Sequence, residues 1–341
     1  MNLSNSRTRK PQVFPIVSID VEEDDWGVYH SDGESLTNLD SLPRLQELFD
    51  RHRVKPTYLI DYPVACDHFH GAFFQEVLRT GKAEIGVHLH PWNTPPFASE
   101  EVNSEYHSRL HNLPPDIQKK KLTALTEAIE KHMGKRPTSF RAGRFSFNSH
   151  TIEILDELGY RVDSSFAPFM HWEGNYQKER PLWYPYRVPS NHRVETSAQN
   201  PGLWEIPATI GFNRSPFELC SSLYEHLGKG LLRVFRLRGV LKHLHLLKKI
   251  GLSPEWSNHK DMLELSRVFV RKGVPILNLF FHSTSLLPGL SPFVRSEEDL
   301  EKFYENLENY FGRLNTAYDV TAIRLSECPP IVQKLTGKIK D

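Results

Sequence analysis

The stretch VFPIVSIDVEEDDW (residues 13–26) sets a short apolar run directly before a cluster of acids. Residues 13–20 have the length and composition of a buried strand. Asp20 and Glu22 stand two residues apart, so their side chains point to the same face if the strand continues that far. The stretch therefore predicts a strand whose carboxyl end presents two carboxylates side by side.

Similar runs recur along the chain and alternate with longer helical patterns. The further runs are PTYLID (56–61), AEIGVHLH (83–90), TSFRAG (138–143), YRVDSS (160–165), LWEIPA (203–208), VPILNLFFH (274–282) and VTAIRL (320–325). Apolar residues have helical spacing in residues 39–54, 72–81, 115–133 and 149–158. Because most crossovers are long enough for a helix, the eight runs predict a parallel sheet, open or closed into a barrel.

Six of these runs end in a polar residue that is useful in catalysis: Asp20, Asp61, His88, Arg141, Asp163 and His282. The carboxyl edge of a parallel sheet or barrel is where active sites lie. His90 follows His88 at the same two-residue spacing that separates Glu22 from Asp20. Two such carboxylates and two imidazoles would give a divalent cation two or three ligands and leave one carboxylate as a base.

The composition excludes several classes of function. The chain of 341 residues has 42 basic and 42 acidic side chains, so no global field attracts nucleic acid. Its three cysteines lie far apart and predict reduced thiols rather than a disulfide framework. The polar N-terminus has no apolar signal region, and no apolar run is long enough to span a bilayer. We therefore expect a cytoplasmic protein.

Residues 213–259 interrupt the alternation of strands and helices. Within them, residues 229–251 carry many basic side chains and no acidic one, with apolar residues at helical spacing. This pattern predicts an amphipathic lid on the domain, or peripheral contact with the inner face of a membrane. The predicted organisation is a flexible tail (1–12), a single catalytic barrel (13–328) with a helical insertion or lid (213–259), and a second tail (329–341).

The order of SIDVEED, EIGVHLH, FRAGRFS, VDSS and LFFHST resembles the polysaccharide deacetylases, the NodB-homology superfamily that includes carbohydrate esterase family 4. The resemblance covers roughly residues 13–165 and 200–328. It implies a distorted (β/α) barrel of about seven to eight strands. It also implies a hydrolase of carbon–nitrogen bonds other than peptide bonds, with a divalent metal ion. Zinc suits imidazole and carboxylate ligands, as do cobalt, nickel and manganese.

Carried over residue by residue, the resemblance makes Asp20 the catalytic base, Arg141 the residue that steadies it, and His282 the general acid. Asp163 matches the motif whose acid orients that histidine. Glu22 and His88 take the places of the metal-binding carboxylate and the first metal-binding histidine.

The sequence departs from the family pattern at the second metal-binding histidine. The family has this residue four positions after the first one, where this chain has Trp92. Either His90 substitutes for it or the site has fewer protein ligands. Arg144 adds a positive charge where the family usually continues with proline and tyrosine, and we expect Arg144, Trp26 and Trp92 to contact substrate.

Three functions agree with these residues. The first is removal of N- or O-linked acetyl groups from a carbohydrate or glycan precursor, such as an acetylated sugar or a lipid-linked glycan. The second is a catalytically decayed carbohydrate-binding protein of the same fold. The third is an amidase that acts on a small amide other than a sugar.

Overall fold

A computed structural model of the chain describes residues 10–29, 35–97, 104–170, 182–189, 202–229 and 237–337. The strands in these ranges are β1 (Gln12–Val21), β2 (Thr57–Ile60), β3 (Glu84–Leu89), β4 (Ser139–Ala142), β5 (Val162–Asp163), β6 (Tyr186–Arg187), β7 (Trp204–Glu205), β8 (Ile210–Phe212), β9 (Lys249–Gly251), β10 (Ile276–His282) and β11 (Asp319–Val320).

The helices in the same ranges are α1 (Leu42–His52), α2 (Tyr62–Cys66), α3 (His68–Arg79), α4 (Pro115–Met133), α5 (Ser149–Glu157), α6 (Phe217–His226), α7 (Leu237–His243), α8 (His259–Arg271), α9 (Glu297–Ala317) and α10 (Cys328–Gly337). Asn258 caps α8 by accepting two backbone N–H groups, and Ser296 caps α9 by accepting one. Every helix in the described ranges is too short or too polar to cross a bilayer.

The main sheet has the order β10–β1–β2–β3–β4–β5–β7–β6, with β11 paired to β1. All neighbours in this sheet are parallel except β6, which lies antiparallel to β7 at the edge. Each of the eight predicted strands contributes to it. The expectation of a distorted (β/α) barrel is confirmed.

The chain after β7 closes the barrel wall on the side of β10. The Thr209 N–H donates to the Asn278 carbonyl over 3.0 Å, and the Thr209 hydroxyl accepts the Asn278 N–H over 2.8 Å. Leu252 continues the contact, because its N–H donates to Thr209 and its carbonyl accepts from Phe280. Backbone hydrogen bonds therefore bridge the gap that the short β7 leaves.

Alternation along β1 separates the two faces of the sheet. Val17 and Ile19 pack with the surrounding helices in the main apolar core. Phe14 and Ile16 point the other way, into an apolar cluster inside the barrel. Residues 18, 20 and 22 continue that inner face as Ser18, Asp20 and Glu22, so its polarity rises toward the carboxyl edge. The carboxyl edge of the sheet is thus an extension of the barrel interior.

Two segments differ in part from what the sequence predicted. Residues 329–341 were expected to be a tail, but Cys328–Gly337 is α10, and its Val332 packs under the barrel in the inner apolar cluster. Residues 229–251 were expected to be helical. Their helix is α7 within the described part, Lys249–Gly251 is the strand β9 paired with β8, and residues 230–236 lie outside the described ranges. The sequence analysis also did not predict α8 and α9.

A buried lysine holds the loop that follows β3. Lys121 of α4 is 0% exposed. Its Nζ donates to the carbonyl oxygens of Pro91, Thr94 and Pro96 over 3.0, 2.8 and 2.7 Å. These bonds satisfy the three donors of the ammonium group, which compensates for its removal from water. Lys121 therefore anchors the loop that carries Trp92.

We expect Lys121→Met to lower the free energy of unfolding by roughly 2–4 kcal/mol, because three carbonyl oxygens, two of them in buried residues, would lose their donor. Chemical denaturation measures this change. The matched control is Lys120→Met: Lys120 is the exposed neighbour whose Nζ lies 3.0 Å from Asp116. Such a surface pair contributes about 0–1 kcal/mol. Equal losses in both variants would contradict the role assigned to Lys121.

Candidate active site

A buried ion pair joins the ends of two strands at the carboxyl edge of the barrel. Arg141, which is 0% exposed, donates from Nη1 to Asp20 Oδ1 over 2.7 Å. Burial alone would raise the pKa of Asp20, but Arg141 and His88 outweigh burial and lower that pKa. Asp20 is therefore a carboxylate at neutral pH.

Three further N–H groups of Arg141 also have acceptors. Its Nε donates to the Ser164 carbonyl over 3.0 Å, and its Nη2 donates to the hydroxyls of Ser18 and Ser164 over 2.5 and 3.0 Å. Asn278 connects the same hydroxyls, accepting from Ser18 and donating to Ser164. The guanidinium is thus held in one orientation by residues of β1 and of the chain after β5, and Asn278 of β10 links the two serine hydroxyls that it contacts.

Glu22, His88 and His90 converge beside Asp20. All three are buried, and a ligand atom from each lies within 4.8 Å of the others. Glu22 Oε2 lies 3.5 Å from His88 Nε2 and 3.3 Å from His90 Nε2. Ligand atoms about 2.0–2.1 Å from one tetrahedral zinc ion lie about 3.3–3.4 Å apart. The three residues therefore have spacings that fit a divalent cation.

The pKa shifts of Glu22 and His88 also favour binding of a divalent cation. Burial raises the pKa of Glu22 to about 7, because nothing on the described residues fully compensates its negative charge. Burial also lowers the pKa of His88, which favours the neutral imidazole that binds metals. A cation between them would compensate the carboxylate and use the free imidazole nitrogens.

A second group of acids surrounds the far side of His90. Glu23 Oε2 lies 3.4 Å from His90 Nδ1, and Asp61 Oδ2 lies 4.0 Å from the same atom. Trp92 Nε1 donates to Glu23 over 2.9 Å, and the Asn93 side-chain amide donates to both Glu23 and Asp61. Burial and Glu23 raise the pKa of Asp61 well above its usual value. Burial would raise the pKa of Glu23 too, but His90 and Asp61 lower it.

A glycine makes room for His90. A Cβ atom on Gly143 would lie 2.3 Å from His90 Cδ2 and 2.7 Å from the Leu89 carbonyl oxygen. A side chain at residue 143 would therefore displace the imidazole of His90 or the backbone at Leu89. The glycine in FRAGRFS and the second histidine of HLH therefore depend on each other.

His282 stands across the cleft from His88 and next to Asp20. Its Nε2 lies 3.7 Å from Asp20 Oδ2, and its Nδ1 lies 3.1 Å from Glu255 Oε2. Glu255 also accepts the His282 backbone N–H over 3.0 Å and the Ser285 hydroxyl over 2.6 Å. Burial would lower the pKa of His282, but Glu255 and Glu22 raise it to about 10. Glu255, from the insertion, orients this histidine.

This arrangement corrects the role expected for Asp163. Asp163 Oδ1 accepts the N–H and hydroxyl of Ser165, and its carboxyl group faces Glu205 on the paired strand β7. Burial raises the pKa of Asp163 to about 6, and burial with Asp163 raises the pKa of Glu205 well above its usual value. Asp163 and Glu205 lie beside each other in the barrel wall, and the acid that contacts His282 is Glu255.

A cleft of about 330 Å³ opens over these groups. Trp26 lies at its rim, 39% exposed and edge-on to His282 at 4.8 Å. Arg144 also lines it and donates to the Tyr29 hydroxyl over 2.8 Å. Trp92 lines the cleft too, but little of its surface is open to it. It is 7% exposed, and its ring stacks on His90 at 4.1 Å.

Strand ends in the sequence thus predict most of the residues that line the site. They do not predict the site residue that lies in a loop. Asp20, Glu22, His88, His90, Arg141 and His282 come together as expected. Glu255 was missed because it lies in the insertion. Its one sequence signal is that it is the first acid after Glu225, within PEW (254–256).

We expect Gly143→Ala to displace the His90 ring, because the added methyl group would overlap it. A crystal structure of the variant measures the displacement, and thermal unfolding should show a loss of about 1–3 kcal/mol. Gly71→Ala in α3 is the control, since a Cβ there meets nothing within 4 Å. An unmoved His90 in Gly143→Ala would contradict this interpretation.

Comparisons with known proteins agree with the fold and the motifs. Residues 38–162 match the model of the family described as polysaccharide deacetylase, a range that includes His88 and Arg141. No match was found among curated proteins.

Two solved structures share the fold. One is described as a polysaccharide deacetylase from Mycobacterium smegmatis, with 16% identity, a TM-score of 0.51, and coverage of 96% of this chain and 91% of that one. The other is described as a glycoside hydrolase/deacetylase from Parabacteroides distasonis, with 12% identity, a TM-score of 0.61, and coverage of 96% and 72%. The chain thus has the fold of these structures, and over residues 38–162 it is similar to the polysaccharide deacetylases.

Proposed function

We propose that the protein is a metal-dependent hydrolase that removes acetyl groups from a carbohydrate or glycan precursor. The observation that carries the proposal is the convergence of Glu22, His88 and His90 beside the Asp20–Arg141 pair. A bound divalent ion, zinc or its neighbours cobalt, nickel and manganese, would polarise the acetyl carbonyl and acidify water. Glu22, His88 and His90 would hold it.

Asp20 is the base in this proposal. Its low pKa keeps it ionised, and Arg141 holds one of its oxygens while the other faces the cleft toward His282. A carboxylate in this position accepts the proton of the attacking water as the bond to the acetyl carbon forms. Arg141 is 0% exposed and donates four of its five N–H groups to Asp20, Ser18 and Ser164, so its role in this proposal is to orient and stabilise Asp20.

His282 is the general acid. Glu255 holds its Nδ1, so Nε2 points into the cleft with the proton that the leaving amine or hydroxyl group must receive. The raised pKa of His282 keeps that proton in place at neutral pH. Breaking the bond between the acetyl carbon and the leaving nitrogen or oxygen then yields acetate and the free sugar group.

The cleft favours a sugar over a small amide. Its volume of about 330 Å³ suits a small ligand, and its rim carries Trp26, an exposed aromatic ring of the kind on which pyranose rings stack. An acetylated sugar, free or within a lipid-linked glycan, is the substrate class that we propose.

We expect the purified protein to contain or bind a divalent metal and to release acetate from acetylated amino sugars. His88→Ala should lose both properties, because it removes one of the proposed ligands. Metal analysis and acetate assays with added zinc, cobalt or manganese measure them. Metal-free protein that releases no acetate under any of these conditions would favour the decayed carbohydrate-binding protein instead.

We expect Glu255→Gln to move the alkaline limb of kcat/KM to lower pH. Glu255 raises the pKa of His282, so its neutralisation lowers that pKa and the acid loses its proton earlier as the pH rises. Asp163→Asn is the matched control and should leave the limb in place, because Asp163 contacts Ser165 and not His282. The opposite pattern would restore Asp163 as the partner of His282.

A further inference from the structure

We propose that Glu23 is the positioning residue that makes His90 a metal ligand, with Trp92 and Asn93 holding Glu23 in place. This inference rests on the proposed function, since it assigns His90 to the metal. It concerns the point where the chain departs from its family, namely the tryptophan at the position of the second histidine.

The two ring nitrogens of His90 face different neighbours. Nε2 faces Glu22 at 3.3 Å, on the side of the proposed cation. A neutral imidazole carries one proton, so Nε2 is free to bind a metal only when Nδ1 holds that proton. Nδ1 is buried and has no hydrogen-bond partner within ordinary geometry. Glu23 Oε2, at 3.4 Å, is the nearer of the two carboxylate oxygens that face it, before Asp61 Oδ2 at 4.0 Å.

Glu23 is itself held from two sides. Its Oε1 accepts the indole N–H of Trp92 over 2.9 Å, and its Oε2 accepts the Asn93 amide over 2.9 Å. The backbone N–H of Glu23 donates to Asp61 over 3.3 Å. With 4% of its surface exposed, Glu23 has no competing water contact of consequence. A carboxylate fixed in this way directs an oxygen at the imidazole without needing the metal to do so.

Trp92 acts twice in this arrangement. Its ring stacks on His90 with centroids 4.1 Å apart and planes inclined by 21°, while its N–H fixes Glu23. The ring plane and the proton position of His90 thus depend on one side chain. The residue that replaces the family's histidine therefore supports the substitute ligand two positions earlier in the sequence.

Glu23, Asp61 and His90 also lie close enough to be considered a second cation site. Their donors argue against it. Asn93 directs its amide at Glu23 Oε2 and at Asp61 Oδ2, the oxygens nearest to His90 Nδ1. N–H groups aimed at the same oxygens repel a cation, so the cluster acts on His90 through the charge and orientation of its carboxylates.

The test measures zinc affinity of metal-free protein by competition with a chromophoric chelator, and the proton position on His90 by ¹⁵N NMR. Glu23→Gln offers one acceptor oxygen to the Trp92, Asn93 and His90 donors. We expect it to weaken zinc binding about 10- to 100-fold and to shift the His90 proton away from Nδ1. Combined with His90→Ala, it should weaken binding no further than His90→Ala alone.

Asp24→Asn is the matched control. Asp24 is the next buried acid along the chain, but it accepts from Thr37 and Asn38 instead of facing a histidine. This variant should keep the wild-type zinc affinity even if it unfolds at a lower temperature. Wild-type affinity and an unchanged His90 proton in Glu23→Gln, with binding weakened in His90→Ala, would overturn this inference and leave the proposed function intact. A wild-type protein that binds no zinc would overturn both.

Discussion

The barrel is organised around one buried guanidinium. Arg141 has no access to water, so each of its N–H groups must find an acceptor inside the protein. Asp20 supplies the compensating charge, and hydroxyl and carbonyl oxygens of Ser18 and Ser164 accept three further N–H groups. This requirement fixes the relative positions of β1, β4 and the chain after β5. It also divides the interior into an apolar base and a polar upper half.

The upper half concentrates negative charge to an unusual degree. Asp20, Glu22, Glu23 and Asp61 are all at most 6% exposed, and each meets the cost of burial differently. Asp20 pairs with the guanidinium of Arg141. Glu23 and Asp61 accept hydrogen bonds from N–H donors, and the pKa of Asp61 is raised as well. Glu22 is the one of the four whose neighbours leave its pKa raised to about 7. Of the two acids whose pKa is raised, Glu22 is the one that faces two imidazole nitrogens.

The sequence predicted those parts of the site that follow from strand alternation and from the shared edge of a parallel sheet. Asp20, His88, Arg141 and His282 stand at strand ends, so their proximity follows once the strands are recognised. The residues that adjust them come from elsewhere in the chain. Glu255 lies 27 positions before His282, in a segment with no regular pattern. Whether Trp92 is exposed or stacked depends on the fold of a Pro-rich loop held by Lys121, which no local pattern encodes.

The route of the chain between β8 and β10 has a consequence for how such proteins diverge. Leu252 completes the wall of the barrel, and three residues later the same segment supplies Glu255 to His282. An insertion of this kind is not a detachable module that evolution or a protein engineer can exchange freely. Shortening it would remove together the backbone hydrogen bonds that complete the barrel wall and the acid that contacts His282. Lineages that vary this segment must therefore change wall and chemistry together.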